Sequence, residues 1–347
     1  MDIHPAGWTE SVAVCINARG EVAGYGVTEK GERGFLWSGG AMTEILPPGA
    51  ASARAAWVNG SGDVAGTAVI DGVSRAFLLK DGSYLDPTPG WAFSTAVFVG
   101  EDGTVAGSGE FGAYVARNGV TEILPGFTDI LGGNAAGQFI GRKDNAARLY
   151  DPRKGYLDLT PPLAAEASPS AINENGLVAL TSSSAGVPKG FVYSDGWFIQ
   201  MTPPGWDTSR ATAVNNTASV LGFGDVMGTR ESFVREGADY EYIAFPGWAT
   251  TEAVSMNDAG QVAGSGLTES GERHAFMASP TGTAPPDFRQ EATAAGGGGC
   301  VMAAGAARRA PSAGSAVDVA VLASPLLALF ARRMRTRRSA SGALTRR

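Results

Sequence analysis

Five carboxylates recur in the sequence, each three residues before a proline: Asp2, Glu44, Asp86, Glu122 and Asp158. Gln200 and Ile243 interrupt the series. Paired carboxylates within about 10 Å of each other could act as acid and base on a glycosidic bond. These five, however, recur once per repeat and would diverge on separate outer strands. We therefore expect them to be solubilising charges on exposed strand edges.

Four tryptophans also recur, just after the position of the carboxylates. They are Trp8, Trp91, Trp206 and Trp248, with Phe127 and Leu163 at matching positions. Aromatic rings in such an arrangement could form a platform on which sugars stack, which makes the tryptophans candidate ligand-stacking residues. Alternatively, each ring packs between neighbouring repeats, which the apolar replacements favour.

Asparagines form a third recurrent set: Asn17, Asn59, Asn173, Asn215 and Asn257. They could line a polar surface, but asparagine followed three residues later by glycine is itself a turn signal, so we predict a structural role. Two histidines and two cysteines are too few to indicate a zinc site. Because no phosphate-binding loop or Ser/His/Asp arrangement stands out either, we predict no catalytic residue, cofactor or metal.

These recurrent residues belong to a repeat of about 40 residues. Seven turn positions mark it: Gly20, Gly62, Gly103, Gly137, Gly176, Ala218 and Gly260. Each copy carries four short apolar segments, in the first copy Ser11–Ile16, Glu21–Tyr25, Gly34–Trp37 and Met42–Leu46. Short segments rich in Val, Phe and Tyr, separated by Asp-Gly or Asn-Gly turns, are typical of hairpin strands.

Four strands per repeat and seven repeats predict a seven-bladed β-propeller over residues 1–280. The last copy stops after its third segment, at Ala278, and the missing segment stands at the other end of the chain, in Met1–Trp8. We therefore expect the N-terminal strand to complete the last blade and close the ring, as a propeller requires to avoid open strand edges.

Arg273-His274-Ala275-Phe276, together with the recurrent Ile-Asn-x-x-Gly and Val-x-Gly, resembles the HAF repeat family of extracellular bacterial proteins. The resemblance covers residues 1–280 and implies an exported repeat protein without an assigned activity. Only the last copy keeps His-Ala-Phe intact, and the fourth copy is eroded, with Ala147–Tyr150 in place of the phenylalanine segment. The histidine is therefore no shared ligand.

Charge is distributed unevenly along the chain. The whole sequence has 27 Lys and Arg and 34 Asp and Glu. Ten of the basic residues but only two of the acidic ones follow residue 288, so the repeat region is strongly acidic. An acidic body argues against nucleic acid as a partner, because phosphate contacts need basic surface.

The C-terminal region has the organisation of a sorting tail, disordered or helical. A linker at 281–299 ends in a glycine run, Cys300 follows, and an apolar segment at 317–331 precedes an arginine cluster. The apolar segment is shorter than an ordinary membrane-spanning helix of about 20 residues. Glycine run, cysteine, apolar segment and arginines resemble the JDVT-CTERM and MYXO-CTERM signals.

That resemblance implies export, cleavage near Gly298, Gly299 and Cys300 by a membrane-embedded sorting protease, and anchoring of residues 300–347 before processing. The alternative is a low-complexity extension of alanine and arginine. Because Met1 opens directly into a strand, we expect the signal peptide needed for export to precede the given start.

Two functions follow from these observations. The first is a non-catalytic, monomeric propeller on the cell surface that binds a protein or polysaccharide through loops on one face. The second is an extracellular glycan lyase or hydrolase. An enzyme should interrupt the repeat with polar residues converging on the axis, whereas these copies differ by deletion and contain no long insertion. We therefore favour the binding protein.

Overall fold

A computed structural model describes residues 1–280, 298–299 and 302–303. Within this part the chain contains only β-strands and forms a seven-bladed β-propeller, as the repeat predicted. Each blade is an antiparallel sheet whose strands follow one another in chain order. We call them the first to fourth strand of a blade, the first being innermost.

The first three blades contain twelve strands. They are β1 (Trp8–Ile16), β2 (Val22–Thr28), β3 (Gly31–Ser38), β4 (Ala41–Ile45), β5 (Ala50–Val58), β6 (Val64–Ile70), β7 (Val73–Lys80), β8 (Ser83–Leu85), β9 (Ser94–Val99), β10 (Val105–Gly109), β11 (Gly112–Arg117) and β12 (Val120–Ile123).

The remaining four blades contain fifteen strands. They are β13 (Asp129–Gly133), β14 (Phe139–Lys143), β15 (Ala146–Asp151), β16 (Gly155–Asp158), β17 (Glu166–Ile172), β18 (Val178–Ser184), β19 (Val187–Ser194), β20 (Trp197–Gln200), β21 (Arg210–Val214), β22 (Val220–Val226), β23 (Thr229–Glu236), β24 (Asp239–Ile243), β25 (Glu252–Met256), β26 (Val262–Leu267) and β27 (Arg273–Ala278).

The N-terminal segment completes the seventh blade. Asp2 forms an antiparallel bridge with Phe276 of β27. The Ile3 amide donates to the Ala275 carbonyl at 3.0 Å, and the Met277 amide donates to the Met1 carbonyl at 2.9 Å. The predicted closure of the ring by the N-terminus is therefore confirmed.

The seven first strands form a closed inner ring, in which each contacts the next and β25 contacts β1. All seven carry a bulge at the same place, where one residue has no partner in the second strand: Val14, Ala56, Val97, Leu131, Ser170, Thr212 and Val254. A bulge increases the local twist of a strand, so its exact repetition gives every blade the same curvature at the axis.

The Val-x-Gly signature has a packing cause. A Cβ atom on Gly66 would lie 2.2 Å from the Arg54 carbonyl oxygen and 2.6 Å from the ring of Phe77. The phenylalanine of the third strand therefore lies flat over the glycine of the second. The same pair recurs in blades 1, 6 and 7.

The eroded fourth copy still forms a complete blade. Strands β13 to β16 pair in the same order as in the other blades. Leu149 takes a buried place in β15, and Phe139 and Ile140 fill the core from β14. The blade is thus maintained by apolar volume rather than by the signature residues.

Two further strands, β28 (Gly298–Gly299) and β29 (Met302–Ala303), pair with each other. The predicted linker at 281–299 and tail at 300–347 otherwise lie outside the described residues. Among the residues that the structure describes, no helix is long and apolar enough to cross a membrane. The apolar segment at 317–331 lies outside the described residues.

Candidate functional site

The two ends of the inner strands define two faces of the propeller. We call the turn face the one that carries the turns from first to second strand, and the loop face the one where first strands begin and second strands end. Connections between blades and the turns from second to third strand lie on the loop face, because strands alternate in direction within each blade.

The recurrent asparagines form a ring of hydrogen bonds on the turn face. The side-chain nitrogen of each donates to the backbone carbonyl of the equivalent residue in the next blade, at 2.8–3.4 Å. The donors, in chain order, are Asn17, Asn59, Asn134, Asn173, Asn215 and Asn257, and the last bond closes on the Asn17 carbonyl. The predicted structural role of these asparagines is therefore confirmed, and it includes holding neighbouring blades together.

Gly100 occupies the asparagine position in the third blade. It accepts the bond from Asn59 at 3.0 Å but has no side chain with which to reach the fourth blade. Within the turn, the Asp102 side chain accepts the Thr104 amide at 2.9 Å, as the asparagine side chain accepts the equivalent amide in the other turns. The ring therefore has six bonds across seven blades.

A second set of side chains on the turn face reinforces this ring. Glu101 accepts the Gly60 amide at 2.7 Å, and Glu174 accepts the Ala135 amide at 3.2 Å. Burial raises the pKa of Glu174, and the nearby carboxylates of Asp258 and Glu101 raise it further. The polar groups of the turn face are thus largely engaged in bonds between blades.

The recurrent tryptophans pack within their own blades. A Cβ on Gly26, Gly109, Gly224 or Gly266 would lie 2.4–2.9 Å from the six-membered ring of Trp8, Trp91, Trp206 or Trp248, respectively. Trp206 is only 8% exposed and stacks on Tyr242. Each tryptophan thus covers a glycine of its second strand, while ligand stacking on these rings stays a prediction.

The match of Leu163 to the tryptophans was wrong by one residue. Leu163 has φ +67° and is 97% exposed, which places it at the turn position that glycine holds in other blades. Ala164 instead donates its amide to Pro161, as Trp91 donates to Thr88. Ala164 therefore stands at the tryptophan position, and the fifth blade has no ring there.

The five recurrent carboxylates are all exposed and lie on or beside fourth strands of different blades. Glu44 pairs with Arg33 at 3.3 Å, and Asp86 and Asp158 accept the amides of Thr88 and Thr160. Asp2 contacts His274, its Oδ2 lying 2.8 Å from Nδ1. They do not converge on one site.

Both histidines of the chain meet where the ring closes. The rings of His4 and His274 are stacked, with centroids 3.9 Å apart and planes 5° from parallel. Because the Trp8 carbonyl can only accept, Nε2 of His4 carries the proton and Nδ1 accepts from the Ser11 hydroxyl, at 3.1 and 2.8 Å. Burial, and then the neighbouring His274, lower the pKa of His4.

A polar cleft of about 280 Å³ opens on the loop face around the fifth blade. Its lining comes from the start of β17, the end of β18, the following turn and the start of β21, with Arg142 and Asn145 from the fourth blade. The lining includes the charged and hydroxyl-bearing side chains of Arg142, Glu166, Ser168, Thr181, Ser183 and Arg210.

Most polar side chains of the cleft are not hydrogen-bonded to other protein groups. Among the described residues, the hydroxyls of Ser168, Thr181, Ser182 and Ser183 make no hydrogen bond to another protein group, and neither does the Glu166 carboxylate. This contrasts with the turn face, where side-chain amides and carboxylates are bonded between blades. The cleft thus offers donors and acceptors to a ligand.

Two guanidinium groups flank the cleft. Arg142 contacts Asp129 at 3.0 Å through one terminal nitrogen, while its Nε is buried and has no partner within the described chain. Arg210 is exposed and, in that same part of the chain, forms no ion pair. The pKa of Asp225 is lowered mainly by its hydrogen bonds to Arg230 and Thr208, and the charge of Arg210 adds a smaller contribution. Glu166 is the one carboxylate of the lining.

The repeat pattern does not point to these residues because they do not recur in most blades: Arg210 is matched by Arg54 of the second blade, and Glu166 by Glu10 of the first. The available signal was a departure in the fifth copy, where Leu180-Thr181-Ser182 stands in place of the Gly-x-Gly that four other second strands carry. Ser182 stands where other blades have the glycine covered by tryptophan, and it lines the cleft instead. Among the described residues, no group of three or more His, Cys, Asp or Glu side chains is arranged to hold a metal.

Of the predicted processing residues, Gly298 and Gly299 form β28, whereas Cys300 lies outside the described residues.

Comparison with known proteins shows similarity of fold alone. No family model and no curated protein sequence matches the chain. Virginiamycin B lyase from Staphylococcus aureus superposes with a TM-score of 0.51 and 12% identity, over 80% of this chain and 98% of that one. A Mycobacterium tuberculosis puromycin-hydrolyzing peptidase gives 0.55 and 12%, over 81% of this chain and 53% of the other.

A third similar structure is the extracellular domain of a putative hybrid two component system from B. thetaiotaomicron. It has a TM-score of 0.50 and 13% identity, and the match covers 79% of this chain and 39% of that one. Enzymes and an extracellular domain of a two component system thus share this fold, as expected for a scaffold whose function depends on its loops.

Proposed function

We propose that this protein is a non-catalytic binding protein that holds a polysaccharide on the loop face of its propeller. The observation that carries the proposal is the cleft around the fifth blade, whose hydroxyl, carboxylate and guanidinium groups are not engaged with each other. Polar groups that converge in a concavity and fix the orientation of a ligand are the usual features of a recognition site.

The cleft supports binding better than catalysis. Glycan hydrolysis ordinarily uses two carboxyl groups on opposite sides of the bond, and Glu166 is the single carboxylate of the lining. The recurrent carboxylates, which could have supplied a second, lie on or beside fourth strands. A lyase or hydrolase activity is therefore the second candidate, and the experiment below separates it from binding.

The cell surface is the location we propose. The order of glycine run, Cys300, apolar segment 317–331 and arginine cluster supports processing near Gly298–Cys300 by a membrane-embedded protease, with the propeller as a displayed monomer. Intact-mass measurement on protein from its producing cells should find a species ending near Cys300. A cytoplasmic species that retains Arg347 would contradict export.

The binding proposal is tested with the full chain and a panel of neutral and acidic polysaccharides. Binding is measured by interferometry, while released reducing ends and unsaturated products are followed in the same mixtures. Ser168→Phe places a bulky ring in the cleft, and Ser83→Phe adds the same ring to an exposed site on β8 as a control.

Saturable binding without product, lost in Ser168→Phe and retained in Ser83→Phe, is the expected result. Product formation that the Ser168 change abolishes would replace the binding proposal with an enzyme. Binding that both variants retain would place the ligand elsewhere on the molecule. Thermal unfolding of each variant verifies that the propeller is intact.

A further inference from the structure

We infer that the loop-face cleft recognises a carboxylate-bearing sugar, a uronate residue within an acidic polysaccharide. The inference rests on the proposed binding function and specifies its ligand. It depends on three properties of the lining: two guanidinium groups, a row of hydroxyls, and one carboxylate that only accepts hydrogen bonds.

The guanidinium pair selects an anion. Arg142 and Arg210 stand on either side of the fifth blade, one from β14 and one from β21. The planar fork of a guanidinium matches the two oxygens of a carboxylate, and such charge-assisted bonds are stronger than neutral ones. The repeat region as a whole is strongly acidic, so these two guanidinium groups are opposite in sign to the net charge of the propeller.

Glu166 makes a multiply charged anion a poor ligand. As a carboxylate it accepts hydrogen bonds and repels a second negative charge, so a phosphate carrying two charges would be opposed. A ligand that satisfies both Glu166 and the arginines must bring hydroxyl donors together with a single negative charge. A uronate sugar has both, on one ring.

The hydroxyl row supplies the remaining contacts. Ser168 and Thr181 are paired across β17 and β18, as are Glu166 and Ser183, so these four side chains form a small polar surface at one end of the blade. Serine and threonine hydroxyls can both donate and accept, which suits the ring hydroxyls of a sugar.

The size of the cleft also agrees with a sugar residue. Its volume of about 280 Å³ is near the lower end of ordinary ligand sites, which run from about 300 to 1,000 Å³. A cleft this small would hold one or two sugars of a longer chain. Gly186 and Pro188 add apolar surface for the carbon face of the ring.

The test is calorimetric titration of the full chain with tetramers of galacturonate, glucuronate and mannuronate, and with a neutral galactose tetramer. Inorganic phosphate is added separately as a competitor. Arg210→Gln removes one guanidinium, and Arg153→Gln makes the same change of charge on an exposed turn of the fourth blade. The cleft-filling Ser168→Phe variant is included.

At least one uronate tetramer should bind, with affinity reduced at least tenfold in Arg210→Gln and unchanged in Arg153→Gln. Phosphate at the same concentration should not displace it. If the neutral tetramer binds equally well and Ser168→Phe abolishes its binding, the uronate inference fails while the binding function stands. Displacement by phosphate would show a general anion site, and binding of no tetramer would also overturn the inference.

Discussion

At the scale of single residues, the turn between first and second strands places a demand on backbone conformation. The fourth residue of each of these seven turns has positive φ, between +65° and +89°. Six are glycines, and the seventh is Ala218, at φ +65°. An L-residue in this region brings its Cβ close to the following carbonyl, which costs about 1–2 kcal/mol.

We therefore expect Ala218→Gly to raise the free energy of unfolding by about 0.5–1 kcal/mol, because the relief of strain exceeds the added entropy of the unfolded chain. Ala259 is the matched control, since it is exposed in the equivalent turn and its φ is not positive. Ala259→Gly should lower stability by up to about 1 kcal/mol. Denaturant unfolding measures both, and a loss in both variants would contradict the strain at Ala218.

Removing one side chain of the asparagine ring should change the free energy of unfolding more than the substitutions at Ala218 and Ala259. Asn173 donates to the Asn215 carbonyl at 2.8 Å, and its side-chain oxygen accepts the amides of Asn175 and Leu177. Asn173→Ala leaves these buried groups without partners, so we expect a loss of about 2–4 kcal/mol. Asn175→Ala, in the same turn but exposed, should cost less than about 1 kcal/mol. Equal losses in the two variants would show that the ring contributes little.

At the scale of elements, the repeat predicted the number, order and pairing of the strands. Several strands are longer than the apolar segments that indicated them: β1 begins at Trp8 rather than Ser11, and β2 continues to Thr28. The added residues lie at the loop-face ends, where alternation of apolar and polar residues is lost because side chains there are partly exposed. Backbone pairing continues beyond the pattern of burial.

The stability of the contact between the N-terminal segment and β27 should depend on pH. Since the folded pKa of His4 is below its ordinary value of 6.5, the unfolded chain binds more protons at this residue as the pH falls through 6.5. Its contribution to stability is therefore present above that value and is lost progressively below it. The charged and titratable groups that face the ring are His274, Asp2 and Glu272.

We expect the free energy of unfolding to fall more steeply between pH 7.5 and 5 in the wild type than in His4→Gln. Glutamine keeps a donor and an acceptor for Trp8 and Ser11 but does not titrate. The measurement is denaturant unfolding at half-unit steps of pH. Parallel curves for the two proteins would mean that His4 does not couple closure of the ring to pH.

For the whole molecule, the sevenfold repeat made the propeller predictable from the sequence but gave no indication of the cleft. Sevenfold recurrence indicated the propeller, its closure and the structural asparagines, because the strand segments and turn residues that define them occur in several copies. The cleft depends on residues that do not recur through the repeat, such as Arg210, matched by Arg54 of the second blade, and Glu166, matched by Glu10 of the first, and on strand ends from three blades. Sequence spacing alone did not bring those residues together.

The two faces of the ring have different tasks. On the turn face, side chains connect blade to blade through the asparagine ring and through Glu101 and Glu174. On the loop face of the fifth blade, the covering tryptophan is absent and the second strand carries Thr181, Ser182 and Ser183. Ion pairs such as Arg54–Glu32 and Arg230–Glu252 join other blades near the loop face as well, so it is the cleft of the fifth blade, rather than the whole loop face, that has polar groups left over for a ligand.

Hydrogen–deuterium exchange of the full chain, with and without a saturating acidic polysaccharide, tests most directly whether the loop-face cleft is the binding site. We expect slower exchange in the segments around residues 142–146, 166–168, 181–190 and 210–212, with the turn-face segments unchanged. Protection confined to the asparagine turns, or spread evenly over all seven blades, would contradict this expectation.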